Sequence, residues 1–155
     1  MAEHVEPLAL GVTWEPNVPD AVLVSRDDGT TVLALNANPD DADQRCVVLV
    51  WTMARAASMA DPNDEAISGH RLYGKGLAEV RWAGVVEGSQ LTSELEKQNR
   101  AHPQHDPAQF NALAHHVMLL KECTVEVVAT AVAAAVLVER SAGPTPKAAM
   151  AVISR

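Results

Sequence analysis

The histidines are the residues in this chain best suited to chemistry, and they are concentrated in its middle. Five of the six lie between positions 70 and 116. They fall in or near two polar stretches, residues 61–76 and residues 102–106. Imidazole titrates near neutrality, so a histidine can donate or accept a proton without a large shift of its pKa. Both stretches are therefore candidate sites for acid–base chemistry.

His70 is the first candidate catalytic residue, because it follows Gly69 in a segment rich in hydrogen-bonding groups. We expect it to act as a general acid or base, with Tyr73 as a second catalytic residue. Three neighbours are expected to orient it or to bind a substrate: Asp64, Glu65 and Lys75. The alternative is that His70 and Asp64 only secure a long loop whose backbone groups need partners.

His102 and His105 are three residues apart across a proline, and Asp106 follows them. Imidazole and carboxylate groups are ligands for zinc and other transition metals. A spacing of three on a loop does not fix their geometry, however, and Asp106 is also suited to capping a helix. We therefore predict no metal site and no cofactor, and we assign His102 and His105 as binding residues of the His70 site.

His115 and His116 are adjacent in a predicted strand, so their side chains point to opposite faces and at most one of them can join a given site. Glu126 lies in the next predicted strand and is the third catalytic candidate. If its face turns inward, among Val and Thr side chains, we expect its pKa to rise. If that face is wet, Glu126 is an ordinary exposed residue.

Two further motifs favour no function. Gly74-Lys75-Gly76 lacks the spaced upstream glycine and the following Ser or Thr of a phosphate-binding P-loop, so we do not expect nucleotide binding. Cys46 and Cys123 lie in strand-like runs, where buried thiols are more common than disulfides. Glu122 disfavours the thiolate of Cys123, and we expect no nucleophilic role for that cysteine.

The first half of the chain contains mostly strand signals. Residues 21–26 and 31–35 are β-branched runs on either side of Asp28-Gly29, which predicts a hairpin. Residues 46–53 form a continuous apolar run, which indicates a strand covered on both faces. Residues 54–60 are ambiguous between helix and strand. Residues 61–76 are predicted to be loop because of their proline and three glycines.

The second half adds strands and two short helices. Residues 77–87 are predicted to be a strand, followed by a helix with Ser93 as N-cap and Glu96 completing a capping box. His102-Pro103 is expected to end that helix. Asp106 as N-cap and Pro107 at the first position begin a second helix over residues 108–113. Residues 115–121 and 124–132 are predicted strands, and residues 131–139 are left undecided.

These elements predict an α+β fold, mainly antiparallel β in a sandwich- or barrel-like sheet, with two short helices. The strand–helix alternation of a doubly wound sheet is missing. A chain of 155 residues is long enough for one domain with a full core. We predict a single globular domain over residues 1–140. Residues 141–155 are predicted to be a tail or a docked edge strand.

Charge limits the class of partner. The net charge is −8, and the first sixty residues carry nine acidic and three basic side chains. An acidic chain without a Lys/Arg cluster is poorly suited to nucleic acid or to an anionic membrane surface. The first residues lack the pattern of a signal peptide, which predicts a cytoplasmic protein. A small-molecule ligand and a homo-oligomer remain open as partners.

The middle of the chain also resembles a broad set of small bacterial proteins. The resemblance rests on Asn63-Asp-Glu, on Gly69-His70-Arg-Leu-Tyr-Gly-Lys-Gly-Leu77, and on His102-Pro-Gln-His105 followed by Phe110 and His116. It covers about residues 62–129. This set has no established activity, so the resemblance implies no catalytic role. The chain has Arg71 where the set favours proline, and Val and Leu in the last hairpin where it favours aromatic residues.

Three functions are compatible with these observations. The first is a small, metal-independent acid–base enzyme or small-molecule binder, with its site where residues 61–76 meet residues 102–106. The second is a non-catalytic interaction or accessory protein, such as an oligomeric scaffold or an inhibitor of a basic partner. It is motivated by the acidic first sixty residues. The third is a metalloprotein. We favour the first.

Overall fold

Two antiparallel sheets form the body of the protein. The computed structural model describes residues 1–138. Within them the strands, in chain order, are β1 (His4–Pro7), β2 (Val22–Ser25), β3 (Thr31–Asn36), β4 (Cys46–Trp51), β5 (Ala56–Ala60), β6 (Ala83–Glu87), β7 (Ala114–Leu119), β8 (Thr124–Ala129) and β9 (Val132–Val138). One sheet has the order β1-β6-β7-β8-β5 and the other β2-β3-β4-β9. With two short α-helices, α1 (Gln90–Asn99) and α2 (Pro107–Asn111), this confirms the predicted α+β, mainly antiparallel fold.

The main core lies between the two sheets. Alternate side chains of β3 and β4 pack against alternate side chains of β7 and β8, because successive residues of a strand point to opposite faces. The large buried members of this core are Trp14, Leu33, Leu35, Leu49, Trp51, Met118, Val125 and Val127. Neither sheet closes on itself, so the arrangement is a sandwich rather than a barrel.

The predicted hairpin at Asp28-Gly29 is confirmed. Gly29 has a φ of +89°, and the Asp28 carboxylate accepts a hydrogen bond from Thr30 N at 2.8 Å. β2 and β3 pair directly on either side of this turn. The apolar run at residues 46–53 likewise forms β4, whose Val47 and Val48 are fully buried although they point to opposite faces. Local turn chemistry and apolar content were sufficient to place these strands.

A segment of three 3-10 helices covers the face of the five-stranded sheet that points away from the main core. We call it the 3-10 segment; its helices are Asp64–Gly69, Tyr73–Lys75 and Leu77–Glu79. Leu72 and Leu77 pack onto Val86 and Val117 of the sheet in a second hydrophobic cluster. The predictions of a loop over residues 61–76 and a strand over residues 77–87 were therefore wrong in part. The first range contains two 3-10 helices, and only residues 83–87 of the second form a strand.

The position of α1 also differs from the prediction. The N-cap is Ser89, whose hydroxyl accepts a hydrogen bond from Thr92 N, and Ser93 lies inside the helix. For α2, the predicted cap is confirmed: Asp106 accepts from Ala108 N, and Pro107 is the first helical residue. The undecided stretches form strands, β5 from residues 54–60 and β9 from residues 131–138. Residues 139–155, including the predicted tail, lie outside the described residues.

Two smaller findings complete the fold. Cys46 and Cys123 are free thiols, as predicted. Burial raises the pKa of the Cys123 thiol, and the nearby carboxylates of Asp61 and Glu122 raise it further. In the part of the chain that the structure describes, no helix is both long and apolar enough to cross a membrane.

Candidate functional site

Glu126 is the centre of the candidate site. It lies on β8, on the sheet face covered by the 3-10 segment, and its side chain is only 11% exposed. Arg71 donates two hydrogen bonds to it, from Nη1 to Oε2 at 2.9 Å and from Nη2 to Oε1 at 2.6 Å. His115 Nε2 lies 2.8 Å from Oε1, and His70 Nε2 lies 3.5 Å from Oε2. One carboxylate thus joins two strands to the segment that covers them.

These contacts keep Glu126 ionised. Burial raises the pKa of its carboxyl group, but the His115 hydrogen bond and the Arg71 ion pair outweigh burial and hold the pKa at about 2. The sequence-based expectation of a raised pKa was therefore wrong. The face is covered, as that expectation required, but it is covered by a guanidinium group and an imidazole as well as by apolar side chains.

His115 connects Glu126 to a serine. Its side chain is fully buried, and its Nδ1 lies 2.7 Å from Ser89 Oγ. An ionised carboxylate can only accept, so Nε2 of His115 carries the proton that faces Glu126. In neutral imidazole Nδ1 is then an acceptor, and the Ser89 hydroxyl donates to it. The polar chain from Arg71 to Ser89 therefore has a defined direction: guanidinium, carboxylate, imidazole, hydroxyl.

Ser89 lies where β6 turns into α1. Gly88 makes this turn with a φ of +63°, and a Cβ at Gly88 would lie 2.8 Å from Met1 O. The Ser89 hydroxyl accepts from Thr92 N at 3.1 Å while facing His115. A serine at a helix N-cap satisfies a backbone amide that would otherwise have no partner. The same oxygen thus caps α1 and ends the polar chain.

A cleft of about 590 Å³ opens beside Ser89, between α1 and α2. Ser89, Thr92 and Glu96 line it from α1, His115 from the sheet and Phe110 from α2. The Thr92 hydroxyl is buried and, among the described residues, has no hydrogen-bond partner. An unsatisfied buried hydroxyl is uncommon, and it leaves a donor available within the cleft wall.

Glu3, the residue before β1, supports the start of α1. Glu3 accepts from Gln90 N at 2.7 Å and from Lys75 Nζ at 2.9 Å, and its side chain is almost fully buried. Burial raises the pKa of the Glu3 carboxyl group, and the Gln90 and Lys75 hydrogen bonds outweigh this effect and lower it. Lys75, predicted to bind substrate, therefore pairs with Glu3. It does not line the Ser89 cleft.

His70 is part of the Glu126 cluster, as the prediction of a site at this histidine required. Its Nδ1 accepts from Leu72 N at 3.0 Å, so the proton on the neutral ring is on Nε2 and faces Glu126. Burial lowers the pKa of His70, and this effect exceeds the opposing attraction of the Glu126 carboxylate. The ring is buried and does not line the Ser89 cleft.

The other predicted residues of the 3-10 segment lie away from Glu126. Asp64 pairs with Lys121 at 2.9 Å. Glu65 is exposed, and Tyr73 is half-buried. For the side chains of Glu65 and Tyr73, the described part of the chain provides no hydrogen-bond or ion-pair partner. The structure thus brings together two of the three predicted catalytic residues, His70 and Glu126, but not Tyr73.

His102 and His105 do not reach His70. His105 Nδ1 lies 2.7 Å from the side-chain oxygen of Asn99, and its Nε2 lies 3.2 Å from Glu96 Oε1. His102 is exposed, and its Nδ1 accepts from Gln104 N. The predicted meeting of residues 61–76 with residues 102–106 is therefore not found. His105 adjoins the Ser89 cleft through Glu96 and through the Phe110 ring, which both line it.

His116 lies on the opposite face of β7 from His115, as predicted. Its Nδ1 accepts from Trp51 Nε1 at 3.0 Å in the core between the sheets. Burial and the neighbouring His115 lower the pKa of His116 to about 4, so the ring is neutral near pH 7.

Among residues 1–138, no group of three or more His, Cys, Asp or Glu residues is arranged to hold a metal ion.

Three residues of the polar chain were absent from the predicted site: Ser89, Arg71 and His115. Their only sequence signals were weak. Ser89 follows a glycine at the end of a strand-like run, where an N-cap is common. His115 and Glu126 lie on paired strands, and they become diagonal neighbours because Val117 is opposite Glu126 in the register.

Comparison with known proteins adds no further assignment: no protein-family model, no curated protein and no solved structure matches this chain.

Proposed function

We propose that the protein is a small acyl-transfer enzyme, with Ser89 as nucleophile and His115 as general base. The observation that carries the proposal is the continuous chain of hydrogen bonds from the ionised Glu126 through His115 to Ser89 at the wall of a cleft. A serine hydroxyl becomes a useful nucleophile when an adjacent base takes its proton and a third group orients that base. The three residues have these relative positions.

The proposed step uses only the substrate and water. Ser89 Oγ forms a bond to the carbonyl carbon of an ester or amide, its proton passes to His115 Nδ1, and the carbonyl electron pair moves onto oxygen. The bond to the leaving group then breaks, and the leaving group takes the proton from His115. Water attacks the acyl-serine in the same way and restores Ser89. Glu126 stabilises the imidazolium form of His115 in both halves of the cycle.

Thr92 is the expected donor to the developing negative charge. Its hydroxyl is buried and lacks a partner among the described residues, and Thr92 is one of the residues that line the same cleft. A donor already in place where charge develops costs no reorganisation during the reaction. The backbone amide next to the nucleophile, Gln90 N, is occupied by Glu3 and does not supply this contact.

The cleft favours an uncharged or cationic substrate. Glu87 and Glu96 are the charged side chains among the described residues that line it, and no lysine or arginine does so. Val86, Phe110 and Leu113 provide the apolar part of its wall. An anionic acyl group would meet like charge, whereas an apolar acyl group or an amine-bearing leaving group would be accommodated.

Covalent labelling with a fluorophosphonate ester tests the proposal. The folded wild-type protein is expected to gain the mass of one probe less HF, at Ser89, because the activated Ser89 Oγ bonds to phosphorus and fluoride leaves. The Ser89→Asn variant keeps a side chain suited to the N-cap but lacks the hydroxyl, and should not be labelled. Ser93→Ala is the matched control: Ser93 lines the same cleft from α1, and its removal should leave labelling unchanged.

Two results would contradict the proposal. One is a folded wild-type protein that takes up no probe, which would leave Ser89 as a helix cap only. The other is equal labelling of wild type and Ser89→Asn, which would place the reactive group elsewhere. Circular dichroism of each variant separates loss of reactivity from loss of fold.

A further inference from the structure

A second cavity lies apart from the Ser89 cleft and shares no lining residue with it. It has a volume of about 300 Å³, within the range of small-molecule sites. Its apolar wall consists of Trp14, Ile67, Trp82, Leu119 and Leu120. Its polar rim includes Arg81, Lys121, Asp64 and Glu15. A mostly apolar hollow with a few charged groups at its edge is typical of a binding site for a small organic molecule.

The aromatic wall is already formed and held by hydrogen bonds. Trp14 is 1% exposed, and its Nε1 donates to Leu119 O at 3.1 Å. Trp82 is joined to the same strand, since Leu119 N donates to Trp82 O at 2.9 Å. The two indole rings meet edge to face, with centroids 5.5 Å apart and planes at 81°. A planar aromatic ligand can pack against such a wall without reorganising it.

One cation on the rim is available to pair with an anion. Lys121 is paired with Asp64 at 2.9 Å, and the Glu15 carboxylate accepts from the backbone amides of Asn17 and Val18. Arg81 lies over the Trp82 ring, 5.6 Å from its centroid. Within the described residues Arg81 has no carboxylate partner. A guanidinium stacked on an indole keeps its hydrogen-bond donors available to a carboxylate.

We propose that this cavity binds a small planar aromatic molecule that carries one carboxylate. The ring lies among Trp82, Ile67 and Leu119, and the carboxylate pairs with Arg81. The apolar wall supplies the affinity for the ring, and Arg81, the one cation of the described rim without a carboxylate partner, selects the anion. This site is independent of the chemistry proposed for Ser89, because the two cavities have no residue in common.

Calorimetric titration with 2-naphthoate tests the proposal, with 2-naphthylmethanol as the uncharged analogue. Wild type should bind 2-naphthoate saturably with one site, and bind the alcohol more weakly. Arg81→Gln should weaken 2-naphthoate binding roughly fivefold to tenfold, the range of one charge-assisted contact at a partly exposed site, and leave binding of the alcohol unchanged. Arg55→Gln is the matched control, since Arg55 also lies over an aromatic ring, that of Phe110, but outside this cavity.

The location of binding can be read from the three tryptophan side chains. In a heteronuclear NMR titration, the indole N–H signals of Trp14 and Trp82 should shift, whereas that of Trp51, held by His116 between the sheets, should not. The absence of saturable binding at millimolar 2-naphthoate would overturn the proposal. Equal affinity of wild type and Arg81→Gln, or a shift of Trp51 alone, would also overturn it.

Discussion

At the scale of single residues, Glu126 shows how a carboxylate can be kept ionised on a covered sheet face. Burial opposes its charge, and the neighbours that reverse this effect come from two directions: His115 from the adjacent strand and Arg71 from the 3-10 segment. A buried charge that loses its partner is strongly destabilising, whereas an intact pair contributes much less than its Coulomb energy suggests. Removal of Glu126 therefore affects stability mainly by leaving Arg71 without its partner, and less by the loss of the favourable pair energy.

Replacement of Glu126 by glutamine should destabilise the protein and abolish the reactivity of Ser89 towards the fluorophosphonate. Gln cannot balance Arg71 or stabilise a protonated His115, so we expect a loss of about 1–3 kcal/mol in the free energy of unfolding. We expect a loss near the lower end of this range, because the Arg71 side chain is 51% exposed and water can solvate its charge once Glu126 is gone. Urea unfolding measures the loss, and fluorophosphonate labelling measures the reactivity.

Glu65→Gln is the control for this change. Glu65 is exposed, and we expect its replacement to alter stability by less than about 0.5 kcal/mol, as for most surface sites. Equal effects of the two substitutions would mean that the Arg71–Glu126–His115 cluster contributes nothing specific.

At the scale of elements, local signals placed α2 and the β2–β3 hairpin but misplaced α1. Asp106-Pro107 and Asp28-Gly29 act within a few residues, so the sequence contains everything needed to predict them. The start of α1 instead depends on Ser89 meeting His115, which is 26 residues away. Ser93 with Glu96 satisfies the capping-box pattern, whereas Ser89 is followed three residues later by Thr92, so the local rule favours the wrong serine.

The 3-10 segment escaped prediction for a related reason. Its proline and glycines are typical of loops, and its helical turns are stabilised by packing of Leu72 and Leu77 on the sheet rather than by intrinsic propensity. The glycines that suggested a loop include one that the packing requires. Gly76 has a φ of +113°, and its Cα approaches β1 so closely that an added Cβ would lie 2.4 Å from Val5 O.

Gly76→Ala and Gly74→Ala should therefore differ sharply. At Gly76 the new methyl group meets the backbone of β1 in a conformation that favours glycine, so we expect a loss of about 2 kcal/mol or more in the free energy of unfolding. At Gly74 no atom lies within 4 Å of the added Cβ and φ is not positive, so the change should be neutral within about 0.5 kcal/mol. Thermal unfolding of both variants measures the difference, and similar losses would show that the segment is not held through Gly76.

At the scale of the whole molecule, the sequence indicated the region of the site but not which residues form it. His70 and Glu126 were predicted together and do meet, because each was chosen for its own chemistry in a segment that the fold brings to the sheet. His102 and His105 were included because they are titratable residues in a polar stretch, yet the ring of His105 bonds Asn99 and Glu96 of α1 and not His70. No sequence motif marks Arg71 or Ser89 as a site residue. Their contacts with Glu126 and His115 depend on the strand register and on the 3-10 segment that covers the sheet.

The two sheet faces should give the protein two separate responses to acid. On the covered face, the pKa of Glu126 is held at about 2, below its ordinary value of 4.5, so stability from this group is lost as the pH falls from about 4.5 towards 2. Between the sheets, the pKa of His116 is lowered from 6.5 to about 4. The unfolded chain binds a proton there before the folded one does, so stability declines as the pH falls from about 6.5 towards 4.

His116→Gln should remove most of the response between pH 6.5 and 4. Gln cannot titrate, but its side-chain oxygen can still accept from Trp51 Nε1, so the variant keeps a hydrogen-bond partner in the core. Wild type should lose stability with a slope of up to about 1.4 kcal/mol per pH unit for this one proton, with a smaller addition from His70, whose pKa burial also lowers. Urea unfolding at several pH values between about 4 and 7.5 gives both profiles. His102→Gln, which changes an exposed histidine, should follow the wild-type profile; a His116→Gln profile parallel to wild type would show that His116 is not the group that couples the sheet interface to acid.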